Sequence, residues 1–390
     1  YELTNFTESF YIVKEKAYLG TPFPNSAQGL KTWRALGVDI LFRIRILKNL
    51  GSKIQFEVKV LDLLTGEIVF KKNYTVEDIW GFREISKKIL SKIEFIFTKK
   101  EGVFTKKIVF TGIKNKPKKG VYAPKQIFIC DANGDNLKQI TSGNSIHLSP
   151  SWEPGEKSIL FTSFTRGNPD LYRIELDSFK VTSLSKHDGI NSGGVFNPKA
   201  SHIVFTGSDK KGANLYALNP KTRERKPITF KRALQVDPDF SHDGKWLAYV
   251  SNEYGRPHIM KAEVEKVQAK EGESLRLGPP KKLTHVGWYN TMPRWSPTGQ
   301  KIVYASFDKS DKRFDLFTMD ENGKNHERLT LNSGNNEGPT WSPNGRLIMF
   351  HSDREKQGGA KQLYLMKKDG TKQKKILVKV YHAESPRWSL

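Results

Sequence analysis

Cysteine is almost absent. Cys130 is the single one in 390 residues, so no internal disulfide can form and the redox compartment is unreadable. Next to Phe128 and Ile129, it reads as a small core residue and not as a nucleophile. Long apolar runs are missing as well: none approaches the roughly 18 residues that a membrane-spanning helix needs. The opening residues lack the basic start and apolar stretch of an export leader. Because the chain opens on Tyr1 without a methionine, as after removal of a leader, that lack carries no argument for the cytoplasm. The local signatures of catalysis are absent too. There is no G-x-S-x-G elbow, no H-E-x-x-H, no phosphate-binding loop and no Cys-x-x-Cys. The segment "HERLT" at His326 is a near miss.

Acidic residues are outnumbered, 41 against 65 basic ones, for a formal net charge of +24. Such a surplus fits nucleic acid, an anionic envelope surface or plain solvation. Lysine carries most of it and is spread along the chain, with local clusters at 114–119 and 367–375. Arginine forks interleaved with exposed aromatics, the texture of a base-reading surface, are missing. A solvated basic surface is the better reading, with no nucleic-acid partner expected.

What the chain does have is a repeat. Trp152, Phe196, Phe240, Trp295, Trp341 and Trp388 each precede a turn or the chain end, at separations of 44, 44, 55, 46 and 47 residues. That is the period of one propeller blade. After each of the first five, another aromatic follows nine residues on: Phe161, Phe205, Tyr249, Tyr304 and Phe350. Between them lie "EPGE", "NPKA", "SHDG", "SPTG" and "SPNG", with Ser, Asn, Pro and Gly where a type I turn prefers them. A third strand recurs at Gln126, Asp170, Asn214, His258, Asp315 and Gln362, and a fourth in "LKQIT", "VTSLS", "KPITF", "KKLTH", "ERLTL" and "KKILV". Four short strands repeated about six times predict a β-propeller. The anchor aromatics are expected to pack between blades. The longest interval contains "EVEKVQAKEGESLRLGPP", expected as a polar surface loop between strands three and four.

The ends complete each other. The first unit begins at "KKIVFTG" with no anchor strand before it, and the chain finishes on "ESPRWSL", an anchor strand with nothing after it. A C-terminal strand that completes the first blade closes the ring and leaves no open edge, which gives six blades.

Residues 1–103 read as a small α/β domain, in which strands give way to a helical period; residues 104–390 read as the propeller. Alternation at Ile54, Phe56, Val58 and Val60 predicts a strand, followed by a Thr65-Gly66 hairpin turn. Thr75 is the expected cap of a helix with Glu77 and Asp78 in its first turn and Ile79, Phe82, Ile85, Ile89 and Ile93 on one face.

This combination resembles the TolB family, the periplasmic components of the Tol-Pal envelope system, with WD40-like (PD40) repeats. The likeness rests on "WRALGVDILFRIRIL", "GVFTKKIVF", the W-S-P-[TN]-G repeats and the terminal "PRWSL", and it extends over almost the whole chain. It implies a non-catalytic periplasmic scaffold that is peripheral to the membrane, needs no cofactor, binds a Pal-type lipoprotein on the propeller and supports outer-membrane integrity, cell division and protein import. It also implies contact with TolA through an N-terminal extended segment, and the chain is expected to begin partway through that first domain.

A partner is expected at the mouth, where loops from the fourth strand of one blade to the first of the next converge. The candidate contact residues are His147, His187, Asn191, Gln235, Trp288, Tyr289, Asn290, Asn336, Glu337 and His382. Trp288 and Tyr289 lie outside the packing pattern, which suits them to an interface anchor; the plainer reading is that they cover the end of a blade. Two other classes compete. A metal-dependent lyase of the oligogalacturonate type would place histidines at the mouth, but His147, His187, His285 and His382 stand 5, 9, 10 and 6 residues ahead of their anchors and so predict no single ring. A polyanion binder would draw on the lysines.

Overall fold

The computed structural model describes residues 27–35, 38–118, 120–210, 212–269 and 272–389. Leu36 and Gly37 of the quoted motif, and Lys119, lie outside the described residues. The chain divides into two compact units, Tyr1–Thr105 and Lys106–Leu390.

The first unit contains α1 (Ala27–Ala35), β1 (Ile40–Asn49), β2 (Ile54–Asp62), β3 (Ile68–Val76) and α2 (Ile79–Thr98). The strands form an antiparallel sheet in the order β1-β2-β3. Alternation along β2 sends Phe56, Val58 and Val60 to one face, where Ile89 and Ile93 of α2 bury them, while Leu61 and Leu63 meet Trp33 of α1. The β2–β3 connection turns at Thr65 and Gly66, whose φ of +81° suits glycine. The cap of α2 is Asp78 and not Thr75: its carboxylate accepts the Gly81 N–H at 2.6 Å. Thr75 is unavailable because β3 runs on past it, paired with Gln55.

The second unit holds six antiparallel sheets among the described residues. Blade 1 consists of His382–Trp388, Lys107–Ile113, Gln126–Asp131 and Lys138–Gln139. The last strand of the chain is thus the innermost strand of the first blade, with Trp388 opposite Ile108 and His382 opposite Ile113. The first strands of blades 2 to 6 are His147–Trp152, Asn191–Phe196, Gln235–Phe240, Tyr289–Trp295 and Asn336–Trp341. Each ends on its anchor aromatic, and all six anchors are buried. They pack across blade boundaries: Trp152 against Val109 and Ile127 of blade 1, Trp341 against Val303 and Ala305 of blade 5. Cys130 is buried in blade 1, where exclusion from water drives its thiol pKa up.

The long interval is not a loop. The third strand of blade 4 extends over His258–Ala269; its first part pairs with Lys281–Lys282 and its second with Gly272–Leu277. The inserted hairpin packs onto blade 3, where Leu275 joins the cluster of Leu215 and Ile228 and the Glu273 carbonyl lies 2.8 Å from His202 Nε2. Its alternating Val264, Leu275 and Leu277 allow this, since apolar residues every second position give the insertion a face to bury.

Candidate partner-binding site at the propeller mouth

Every innermost strand breaks its register at the same place. The shifts fall at 148/151, 192/195, 236/239, 291/294, 337/340 and 384/387. Three residues ahead of each anchor the backbone is left-handed: Ser149, Gly193, Asp237, Met292, Gly338 and Ser385, with φ between +51° and +64°. These are β-bulges, which bend the strand and re-aim its side chains. A proline follows in five of the six, Gly194 in the other. The sequence signal was present, as a proline two residues before the anchor, but its meaning depends on a ladder that only pairing reveals.

The six bulges line the throat and narrow it to a cavity of about 60 Å³. Arg294 and Arg387 lie in this throat with Asp237. Asp239 links them to the ring: its Oδ1 accepts from Arg387 at 3.1 Å and its Oδ2 from the Trp295 N–H at 2.8 Å, with Arg294 Nε 4.0 Å away. Burial, followed by the charge of Arg387, pushes the Arg294 pKa down to about 10. None of these four charged residues was singled out in the sequence.

The expected contact residues separate into two sets. Five that open the innermost strands, His147, Asn191, Gln235, Asn290 and Asn336, are buried. Asn191 accepts from Ser185 Oγ at 2.8 Å and donates to the His187 carbonyl at 2.6 Å. Asn290 donates to the Val286 carbonyl at 2.9 Å, and Gln235 to Ser251 Oγ at 2.8 Å. Asn336 donates to Asp315 Oδ1 at 3.1 Å and accepts from Arg354 at 2.7 Å. His147 lies edge-on to Phe161, and burial lowers its pKa. These five side chains are buried among their own loops and strands.

The second set reaches the mouth. His187 is exposed. Trp288 is 42% exposed and carries two cations on its ring, Arg256 at 3.9 Å and Lys309 at 4.6 Å. Tyr289 is half-buried, edge-on to Phe314. Burial raises its hydroxyl pKa, and so do the charges of Asp237 and Glu337, which marks its proximity to both. Glu337 and His382 belong to one ladder across the join of blades 6 and 1. Lys361 Nζ donates to Glu337 at 2.8 Å and lies 3.2 Å from His351 Nε2, while its backbone N–H donates to His382 Nδ1 at 3.1 Å. His382 Nε2 is 3.0 Å from Glu384, which also accepts from Lys125. Burial works against ionising Glu337, but the His351 bond and the Lys361 charge outweigh it, and its pKa falls to about 2.

His147 and His382 open the first strands of blades 2 and 1, and His187 and His285 precede those of blades 3 and 5. Among the described residues no three His, Cys, Asp or Glu side chains are grouped to hold a metal. No described helix is long and apolar enough to cross a membrane, which leaves strand-crossing barrels unaddressed.

Six blades closed by the C-terminal strand define a six-bladed β-propeller. The chain belongs to the TolB beta propeller domain family, whose model matches residues 96–390. It is 30% identical over 252 residues to a TolB homolog of Chlorobium chlorochromatii, covering 63% of this chain and 54% of that protein. It is 25% identical over 345 residues to the Tol-Pal system protein TolB of Francisella tularensis subsp. mediasiatica, covering 87% and 75%. A Desulfosudis oleivorans Tol-Pal system protein TolB matches at 28%, over 55% of this chain and 47% of its own length. The chain thus spans about half the length of two of these three curated relatives. In fold it is similar to the crystal structure of TolB from Acinetobacter baumannii, with a TM-score of 0.75 at 21% identity over 92% of this chain and 85% of that one.

Proposed function

We propose that this chain is a non-catalytic, periplasmic scaffold of a Tol-Pal envelope system that binds a Pal-type lipoprotein at the mouth of its propeller. The observation that carries the reading is the mouth itself, where Trp288 stays 42% exposed outside the packing pattern of the anchors. There, segments of all six blades converge, and Trp288, Tyr289, His187 and the Glu337–His382 ladder offer aromatic, imidazole and carboxylate groups. Kinship with Tol-Pal system TolB proteins supports the choice of partner. A role in outer-membrane integrity and cell division follows from this reading.

Isothermal titration of the chain with the Pal domain from the same cell tests the proposal. Saturable binding is expected. Changing Trp288 and Tyr289 together to alanine should weaken it by roughly thirtyfold, the cost of about 2 kcal/mol that a removed aromatic anchor carries. Absence of binding by the parent chain would overturn the scaffold reading in favour of a lyase or a polyanion binder.

A further inference from the structure

Blades 3 to 5 place a basic and apolar sector on the mouth. Phe230, Tyr254, Val286 and Trp288 are 79, 53, 70 and 42% exposed. Single exposed apolar residues need no explanation, but these are joined. The 230–234 loop is tied to the 252–255 turn by Lys231 Nζ to Glu253 at 3.0 Å and by the Leu234 N–H to Asn252 Oδ1 at 2.7 Å. Lys282 Nζ lies 4.9 Å from the Tyr254 ring. Arg256 lies on Trp288, and Asn290 draws the Val286 carbonyl and the Pro257 carbonyl together at 2.9 and 3.4 Å.

The charge of this sector is one-sided. Segments 230–234, 252–257 and 281–289 together with Lys309 hold six cations and one acid, Glu253, which Lys231 already pairs. The potential is felt inside: burial lowers the pKa of His258, and the charges of Lys282, His285 and Arg256 lower it further. On the far side of the mouth stand the carboxylates of Glu337 and Glu384 in their ladder.

We infer that the sector around Tyr254, Arg256, Lys282, Trp288 and Lys309 docks an acidic segment of a protein partner, whose carboxylates meet the cations while its apolar side chains cover Phe230 and Trp288. This rests on the scaffold reading above and names the chemistry of the partner's contacting surface. Nucleic acid fits less well, because four of the six cations are lysines, which lack the guanidinium fork that clamps phosphates. An extended anionic surface would also press against the carboxylates across the mouth, whereas a compact acidic segment confined to blades 3 to 5 avoids them.

The test uses the full chain, the cognate Pal domain and a deca-glutamate peptide as probes. In titration calorimetry at physiological salt, Arg256→Glu with Lys309→Glu should weaken Pal binding at least tenfold. Lys116→Glu with Lys118→Glu, in the blade 1 loop between Ile113 and Gln126 and so outside the sector, should leave it within about twofold. The peptide should compete with Pal on the parent and fail to bind the mouth variant. Lys282→Glu serves as a second, independent reversal should the double variant melt differently from the parent. Equal Pal affinity in parent and mouth variants overturns the acidic-segment inference while the scaffold reading stands. No Pal binding, with peptide binding that the mouth reversal removes, sinks the scaffold reading and supports the sector. Failure of both ligands overturns both. Displacement of Pal by duplex DNA or by phosphatidylglycerol vesicles at lower charge concentration than the peptide marks a general polyanion surface and overturns the inference.

Discussion

The indole Nε1 of Trp152 donates to the backbone carbonyl of Arg387 at 3.0 Å, across 235 positions of sequence. Trp341 repeats the bond with Arg294 at 3.1 Å. In each case an anchor tryptophan grips the residue just before the anchor of the preceding blade. The chain's last strand is therefore gripped from blade 2 through Arg387, just as the innermost strand of blade 5 is gripped from blade 6 through Arg294. Removing 385–390 should open the ring, expose the edge of Lys107–Ile113 and cause aggregation. Trp388→Ala should cost about 3–5 kcal/mol by leaving a cavity, and Trp152→Phe about 1 kcal/mol for the lost hydrogen bond. Urea unfolding midpoints check both, and a truncated chain as stable as the parent would rule out the seam.

Acid should loosen the join of blades 6 and 1 in two stages. His351 has its pKa lowered from 6.5, first by burial and also by Lys361, with Glu337 acting the other way; its Nδ1 accepts the Ser385 N–H at 3.1 Å. The unfolded chain takes up the proton more readily, so this stability is complete above pH 6.5 and declines as pH falls below it. Glu337, lowered from 4.5 to about 2, contributes stability that is present above pH 4.5 and lost as pH falls toward 2. His351→Gln should flatten the first stage in calorimetric melting between about pH 8 and 5, leaving a residual slope from His147 and His258, whose pKa values burial also lowers. Parallel loss in parent and variant would reject the assignment.

Asn336 should matter to the fold and not to the partner. Its replacement by alanine removes one bond each from Arg354 and Asp315, which it bridges at 2.7 and 3.1 Å, and a buried polar group that loses a partner costs about 1–3 kcal/mol. Chemical denaturation should show that loss, while Pal affinity stays within about twofold. A variant of unchanged stability that binds poorly would return Asn336 to the contact surface.

The bulges give opposite expectations at two positions. Gly338 has a φ of +60°, and an added Cβ would stand 2.5 Å from His351 Nδ1, so Gly338→Ala should destabilise by about 2 kcal/mol or more. Ser149 holds φ +51° at an exposed position; Ser149→Gly should relieve backbone strain and be neutral or stabilise by up to about 1 kcal/mol. Thermal midpoints of the two variants moving the same way would contradict the shared bulge.

The sequence by itself determined the period, the six anchors, the strand order within each blade and the closure by "PRWSL", because turn residues and alternating apolar residues are local chemistry that repeats. Tertiary structure decided what local pattern leaves open. The insertion after His258 became a hairpin because blade 3 offered Leu215 and Ile228 to its Leu275. Asp78 took the cap of α2 because β3 claimed Thr75. At the mouth, the polar residues opening each innermost strand look alike in sequence, yet Asn191, Asn290 and Asn336 turned inward while Trp288 and Glu337 stayed within reach of the mouth. Their hydrogen-bonding partners come largely from adjoining loops and neighbouring strands, and only closure of the ring brings those groups within bonding distance.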